Sequence, residues 1–260
     1  MKSLLNYPML VTTLFINNFI IAQPQTYTVA NAHSHNDYLN NQPFDKAFNN
    51  GFGSIEADIF PVNGILFVAH SKREIQPGST LNGLYLAPLL KKLKLNNSWQ
   101  IKLLVDIKED YKLSLDLLMK EIEPLKPYLS TSHRSKSLII LISGERPAPA
   151  EYKNYPDYIF FDDDLKLSHA GAEWKRVGQV SLQFTKFTSW NGENTIEAGD
   201  RKMLQHIIDS VHHAGKTIRF WAAPDNETSW LLQMQLGVDL VGTDKIDELG
   251  SFLRRRSKNQ

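Results

Sequence analysis

Residues 200–243 read DRKMLQHIIDSVHHAGKTIRFWAAPDNETSWLLQMQLGVDLVGT. This stretch decides the fold class because it runs helix, strand, helix, strand, with a stop signal after each helix. Residues 200–214 carry apolar side chains at helical spacing and end at Gly215; residues 227–236 do the same and end at Gly237. A glycine just past the last helical residue takes the left-handed conformation that closes a helix. The segments 217–222 (TIRFWA) and 238–243 (VDLVGT) are short and rich in β-branched and aromatic residues, as strands are. Strands joined through helices run parallel, because only a crossover returns the chain to the same end of a sheet.

The same alternation extends back to residue 27. Strands are expected at 27–33, 54–59, 101–107, 137–142, 157–161, 179–184, 217–222 and 238–243, with helices at 44–50, 84–94, 113–126, 200–214, 227–236 and 246–256. Eight strands in one unit is the size of an α/β fold of the (β/α)8 TIM-barrel type. An open doubly wound sheet competes, but no glycine-rich phosphate loop follows the first strand. The run 65–70 (ILFVAH) follows 54–59 across Pro61-Val62-Asn63-Gly64, so a short extra rim strand is expected beside the second barrel strand.

Composition narrows the function classes. The chain has 260 residues, 42% hydrophobic and 22% charged, which is globular usage. With 29 basic against 28 acidic residues, it lacks the basic field that nucleic-acid binding needs. There is no cysteine, which excludes disulfides, thiolate metal sites and thiol nucleophiles. Met1–Ala22 has one charge, Lys2, then an apolar stretch from Tyr7 interrupted by Thr12-Thr13 and Asn17-Asn18, and a small residue at its exit. That pattern is a secretory signal peptide, too short and too interrupted to span a membrane. The expectation is a signal at 1–22, one domain over 23–260, a monomer, and a secreted or periplasmic location.

Strands of a parallel barrel are covered on both faces and read as apolar runs. Three of these break the rule at their C-terminal ends, with His33-Ser34-His35, Glu56-Ala57-Asp58 and Asp106-Ile107-Lys108. Residues two apart share one side of a strand, and barrel active sites lie at the C-terminal strand ends. Buried charges are paired or bind metal, so these residues are expected to form one polar pocket. Oxygen ligands without thiolates favour one divalent cation, Ca2+ or Mg2+. His70, closing the rim strand, joins His33 as a second imidazole. A base, an acid and a cation suffice for phosphodiester cleavage.

These residues resemble the phospholipase-C-like phosphodiesterases with a TIM barrel, the glycerophosphodiester phosphodiesterases and sphingomyelinase D among them. Gly51-Phe52-Gly53-Ser54-Ile55-Glu56-Ala57-Asp58, Asn63-Gly64 and Phe67-Val68-Ala69-His70 look like the Glu-x-Asp strand, turn and second His of the first group. His33-Ser34-His35-Asn36 and Asp106-Ile107-Lys108 look like motifs of the second, as do Trp221 and Gly237-Val238-Asp239 with Gly242-Thr243-Asp244. His33-Ser34-His35-Asn36-Asp37-Tyr38, with Leu84-Tyr85-Leu86-Ala87-Pro88-Leu89, looks closest to the altered-inheritance-of-mitochondria-protein-6 branch. The resemblance implies that Glu56, Asp58 and Asp106 hold the cation and that His33 and His70 are the acid–base pair. It implies that Lys108 touches a phosphate oxygen, that Asn36 orients the phosphate or leaving group and that Trp221 walls the pocket. His35 is either a replacement for His33 or its support. The arginine of the family's His-Arg-Gly opening is missing. Arg146, after the fourth strand, is a further candidate for phosphate contact. The implied substrate is a glycerophosphodiester or a phospholipid-headgroup diester.

Two alternatives stand beside this one. His33-Ser34-His35 with Asp244 also suits a metal-dependent amidohydrolase, and the barrel also suits a catalytically inactive ligand-binding module. His212-His213 is expected to cap a helix at the surface, and Asp162-Asp163-Asp164 to form a solvated loop.

Overall fold

The strand β2 (Ser54–Val62) is the one from which the sheet can be followed in both directions. On one side it pairs in parallel with β1 (Ala32–Ser34), which pairs in parallel with β9 (Val241–Thr243). On the other it pairs with β4 (Ile101–Ile107), followed by β5 (Leu138–Gly144), β6 (Ile159–Asp163), β7 (Val177–Gln183) and β8 (Ile218–Trp221), each parallel to the last. The ends meet at an isolated parallel bridge between Arg219 and Leu240, where Asp239 N donates to Ile218 O at 3.1 Å. The result is a nearly closed barrel of eight parallel strands. The rim strand β3 (Ile65–Val68) runs antiparallel beside β2, as its turn spacer requires. This computed structural model describes residues 26–96 and 98–257, so the expected signal segment lies outside the described residues.

The expected helices are present with shifted ends: α1 (Asp45–Asn50), α2 (Ala87–Leu95), α3 (Tyr111–Glu121), α5 (Ala198–His213), α6 (Glu227–Leu236) and α7 (Ile246–Ser257). Local chemistry sets the boundaries. Asn226 caps α6 by accepting from Ser229 N at 2.9 Å, and Gly237 closes it at φ 88°. The crossover between β6 and β7 holds only the four-residue α4 (Gly171–Trp174). No helix among the described residues is long and apolar enough to cross a membrane.

The first strand is shorter than its apolar run suggested. Val29–Asn31 forms a 3-10 turn, because Thr28 and Asn31 cap it reciprocally: Ala30 N donates to Thr28 Oγ1 and Thr28 N to Asn31 Oδ1. Polar side chains that offer the backbone local partners compete with a ladder in this way. The apolar core lies between sheet and helices, where Ile55, Ala57 and Ile59 of β2 and Leu103, Val105 and Ile107 of β4 are buried. Their alternate neighbours, Glu56 and Asp58, Lys102 and Asp106, therefore face the barrel interior.

Gly53, at the foot of β2, is pressed against the capped turn: a Cβ there would lie 2.1 Å from the carbonyl oxygen of Ala30. Gly53→Ala is expected to lower stability by about 1–3 kcal/mol, the usual range for an overpacked contact, read from the urea midpoint. An unchanged midpoint would show that the turn moves aside freely.

Candidate active site

The register of β2 and β4 sets Asp58 directly opposite Asp106. With Glu56 two residues earlier on the same face, the three carboxylates each offer an oxygen within 4.8 Å of the others. Lys108 lies just beyond β4 and its Nζ bridges Asp58 Oδ2, at 2.8 Å, and Asp106. Burial alone would lower the Lys108 pKa, but the Asp106 and Asp58 charges carry it above its ordinary value, so it stays charged. Burial, together with the Glu56 charge, raises Asp58 to about 6 against the pull of Lys108. The second oxygen of Asp58, Oδ1, is buried with no hydrogen-bond partner. Ser143 Oγ fixes Asp106 Oδ1 at 2.9 Å. The residue after Ser143 has to be glycine: Gly144 has φ 70°, and a Cβ there would lie 2.2 Å from Asp106 Oδ1.

His33 and His35 share the end of β1 but occupy different environments. His33 is fully buried, with Nδ1 2.8 Å from Ser54 Oγ and Nε2 2.7 Å from Glu56 Oε2 and in contact with Arg219. Burial, then the Arg219 charge, lowers its pKa to about 3, so the ring is neutral. Glu56 is held well below the usual carboxylate range; burial opposes this, but Arg219 and His33 prevail. His35 opens to the cavity and its Nδ1 lies 2.8 Å from Asp244 Oδ1. Burial would lower its pKa, but the bond to Asp244 and the Glu56 charge raise it above the ordinary value.

The loop after β1 is shaped by Asp37, a fully buried carboxylate. It accepts from Ser34 Oγ at 2.7 Å, Phe44 N at 2.5 Å and Tyr85 Oη at 3.0 Å. The opening motif and the later Leu84–Leu89 motif are thus physically joined. The anchored loop presents Asn36, at φ 46°, and Tyr38. The Tyr38 hydroxyl lies 2.8 Å from both Asn36 Oδ1 and Asp58 Oδ2, and 3.2 Å from His70 Nδ1. Exposed His70 also stands 3.6 Å from Asp58 Oδ2.

A cavity of about 1190 Å³ at the C-terminal strand ends gathers His35, Asn36, Glu56, Asp58, His70, Asp106, Lys108, Arg146 and Trp221. Of the residues expected from the sequence, His33 alone is not on its wall. Arg146 reaches the cavity but is engaged, with Nη1 donating to Gly144 O at 3.3 Å and Nη2 3.3 Å from Asp164 Oδ1. Trp221 stands at the rim, 42% exposed. The one group of three or more acids or histidines among the described residues close enough to hold a cation is the carboxylate trio, without the imidazoles that an amidohydrolase centre would need.

Sequence reasoning missed the basic residues inside the barrel. Arg219, on β8, donates to Glu56 at 3.0 Å and through Nε to Ser181 Oγ at 2.9 Å. Lys102, on β4, reaches across the barrel to Gln179 Oε1 at 2.6 Å, and Gln179 Nε2 donates to Ser181 Oγ at 3.0 Å. Burial lowers the Lys102 pKa to about 8. The signal was a charge in mid-strand, IKLLVDI and TIRFWA, the same signal that marked Glu56. Two expectations are corrected. Asp162 and Asp163 are buried in β6 and not in a solvated loop, because the strand runs two residues further and turns Asp162 inward. His212 is buried and not at the surface, held 2.8 Å from Asp239 Oδ2.

Residues 25–102 match the family model of an AIM6-like phosphodiesterase domain. The altered inheritance of mitochondria protein 6 of Kluyveromyces lactis is 39% identical over 309 residues, an alignment covering 86% of this chain and 72% of that protein. Its counterpart from Eremothecium gossypii is 26% identical over 85% of this chain and 68% of that protein. A glycerophosphodiester phosphodiesterase structure from Parabacteroides distasonis shares the fold, with a TM-score of 0.53 at 17% identity, over 83% of this chain and 89% of that one. The barrel and the resemblance to this superfamily and branch, both expected from the sequence, are borne out.

Burial raises the Asp162 carboxyl to about 6 from 3.8, with Arg219 and Ser181 opposing. A group that keeps its proton when folded and loses it when unfolded makes folding less favourable as pH rises from about 4 to about 6. Each pH unit is worth about 1.4 kcal/mol. Asp162→Asn is therefore expected to change stability little at pH 4 and to raise it by up to about 3 kcal/mol above pH 7, measured by urea denaturation at both values. An equal change at both would place the cost elsewhere.

Proposed function

The chain belongs to the altered inheritance of mitochondria protein 6 family, and from that membership we propose that it is an exported, metal-dependent hydrolase of phosphodiesters. The observation that carries this reading is the meeting, in one cavity, of three carboxylates, a charged lysine and two imidazoles. The substrate is a glycerophosphodiester or a related headgroup diester. Removal of residues 1–22 would precede its action.

Glu56, Asp58 and Asp106 are the residues to hold one divalent cation, Ca2+ or Mg2+. The buried, partnerless Asp58 Oδ1 and the closeness of the three oxygens fit a hard ion with oxygen ligands. When bound, such an ion supplies positive charge opposite the phosphate oxygens. Lys108 adds a fixed ammonium at the same place, and Arg219 behind Glu56 keeps that carboxylate ionised.

Proton transfer falls to His35 and His70. Of the two imidazoles at the end of β1, the geometry supports His35, since His33 is neutral, fully buried and spent on Ser54, Glu56 and Arg219. His35, whose pKa the bond to Asp244 raises against the pull of burial, gives its Nε2 proton to the leaving alcohol oxygen. His70, steadied by Tyr38 at Nδ1, takes the proton of the attacking hydroxyl at Nε2. The new oxygen–phosphorus bond forms as the old one breaks, and one proton enters as one leaves. His33 positions Glu56.

Phosphorus NMR of the purified protein against glycerophosphocholine, glycerophosphoinositol and lysophosphatidylcholine tests the reading. A new phosphomonoester or cyclic phosphate signal is expected with Mg2+ or Ca2+, and none after chelation. Silence across the panel in both metals would sink it. His35→Ala and His70→Ala are each expected to slow turnover by roughly 10²–10⁴-fold while leaving metal affinity intact. Glu56→Ala, Asp58→Ala or Asp106→Ala should weaken metal binding, read by calorimetry. A p-nitrophenolate leaving group, which needs no proton, should restore His35→Ala and not His70→Ala.

The Asp244 bond raises His35, so its removal has a signed consequence. Turnover falls at high pH as the acid loses its proton, and Asp244→Asn should move that alkaline limb to lower pH. A limb that stays in place would remove His35 from the acid's role.

A further inference from the structure

The Tyr38 hydroxyl stands behind the cavity wall. Asn36, Asp58 and His70 line the cavity, and the hydroxyl touches all three: Asn36 Oδ1 and Asp58 Oδ2 at 2.8 Å, and His70 Nδ1 at 3.2 Å. It reaches them because the loop that carries it is pinned. Asp37, its neighbour in the chain, is fully buried and gathers Ser34 Oγ, Phe44 N and Tyr85 Oη. Asn36 at φ 46° and Phe44 at φ 63° hold left-handed backbone at the two ends of the loop. Residues other than glycine stay in that region only where their surroundings over-determine them.

A count of hydrogens fixes the direction of these bonds. A phenol has one hydrogen and keeps it near neutrality. Asp58 Oδ2 and Asn36 Oδ1 are both acceptors, and a carboxylate is the stronger of the two. Asn36 turns its oxygen to Tyr38 because its Nδ2 donates to Asp244 Oδ1 at 3.3 Å. Whichever oxygen takes the phenol hydrogen, none is left for His70. The phenol oxygen therefore accepts, and His70 Nδ1 donates. Asp58 Oδ2, 3.6 Å from the same nitrogen, is likewise an acceptor. A neutral imidazole holds its hydrogen on one nitrogen and leaves the other bare, so His70 Nε2 carries the lone pair. On the carboxylate side, Asp58 Oδ2 receives Tyr38 Oη and Lys108 Nζ, each at 2.8 Å, and Oδ1 is the oxygen without a partner.

We propose that Tyr38 is a positioning residue whose hydroxyl occupies Asp58 Oδ2 and His70 Nδ1, leaving Asp58 Oδ1 for the cation and His70 Nε2 for the proton. One hydroxyl thus selects the working atom of two residues at once. Without it, the exposed His70 ring carries its hydrogen on either nitrogen, and only the tautomer with a bare Nε2 acts as a base at that atom. Asp58 in turn loses one of the two donors that keep Oδ2 occupied. A carboxylate with a single oxygen to give suits Mg2+, which demands strict geometry and takes few protein ligands; Ca2+ accepts both oxygens of one carboxylate. The tasks of Asp58 and His70 rest on the phosphodiesterase reading; the direction of the hydrogen bonds rests on geometry alone.

Tyr38→Phe removes the oxygen and keeps the ring, and two measurements without turnover test it. Nitrogen NMR of protein labelled in its histidine rings, in chelator at about pH 8.5 where an ordinary imidazole is neutral, reads the tautomer. His70→Gln identifies the signal. The wild type is expected to hold its hydrogen on Nδ1 with Nε2 bare, and Tyr38→Phe to show both tautomers. Calorimetry with Mg2+ and with Ca2+ reads the carboxylate. Mg2+ affinity is expected to fall roughly 10–100-fold in Tyr38→Phe, the usual cost of losing a group that orients a ligand, and Ca2+ affinity to fall less. A wild type with His70 protonated on Nε2, or a variant with the wild-type tautomer, would overturn the proposal. So would cation affinities measurable in the wild type and unchanged in the variant. A protein that binds neither cation and cleaves no diester, yet loses its single His70 tautomer with Tyr38, keeps the hydrogen-bond assignment and loses the phosphodiesterase reading. One that cleaves diesters while its His70 tautomer ignores Tyr38 does the reverse.

Discussion

A guanidinium inside the barrel is the constraint on which the remainder of the molecule depends. Arg219 extends from β8 to Glu56 on β2, His33 on β1 and Ser181 on β7. A buried arginine must find a negative partner, and removing one side of such a pair costs about 3–5 kcal/mol. These contacts span the seam where β8 and β9 share only an isolated bridge. Side chains thus hold together what backbone hydrogen bonding leaves thin.

The same contact sorts the charges of the mouth. Arg219 keeps Glu56 ionised against its burial, burial with Arg219 keeps His33 neutral, and burial with the Glu56 charge raises the Asp58 pKa. Lys108 then sits between Asp58 and Asp106 as the cavity's own cation. The outcome is a graded site: fixed charge below, a raised carboxyl in the middle, and imidazoles at the opening. Identical residue types acquire different protonation because their distances from Arg219 and from solvent differ.

Family membership and fold meet at this barrel. The model of the AIM6-like phosphodiesterase domain spans residues 25–102, which include β1, β2, β3 and nearly all the groups that reach the mouth from them. The strands beyond it supply Asp106, Lys108, Ser143, Arg146, Asp162, Ser181, Arg219 and Trp221. The matched N-terminal third therefore meets, at the barrel mouth, a carboxylate and a lysine from β4 and the charged groups of the later strands. Two crossovers lack the full helix of a regular barrel: β5 to β6 holds only the 3-10 segment Pro149–Asn154, and β6 to β7 only the four residues of α4.

The amino-acid sequence by itself determined the class of fold, because alternating apolar strands and glycine-stopped helices admit few arrangements. It determined the carboxylate centre too: residues two apart on a strand share a face, so Glu56-Ala57-Asp58 and Asp106-Ile107-Lys108 had to converge at one end. The tertiary structure alone decided which imidazole opens to the cavity. His33 and His35 look equivalent along the chain, yet Arg219, 186 residues from His33, covers the first and leaves the second to Asp244. It also decided that Asp162 and His212 are buried, since a strand end or a helix terminus says nothing about what packs over it. Spacing along a chain fixes the direction of a side chain; only the closed sheet fixes which distant charge that side chain meets, and at these distances that meeting sets the protonation state.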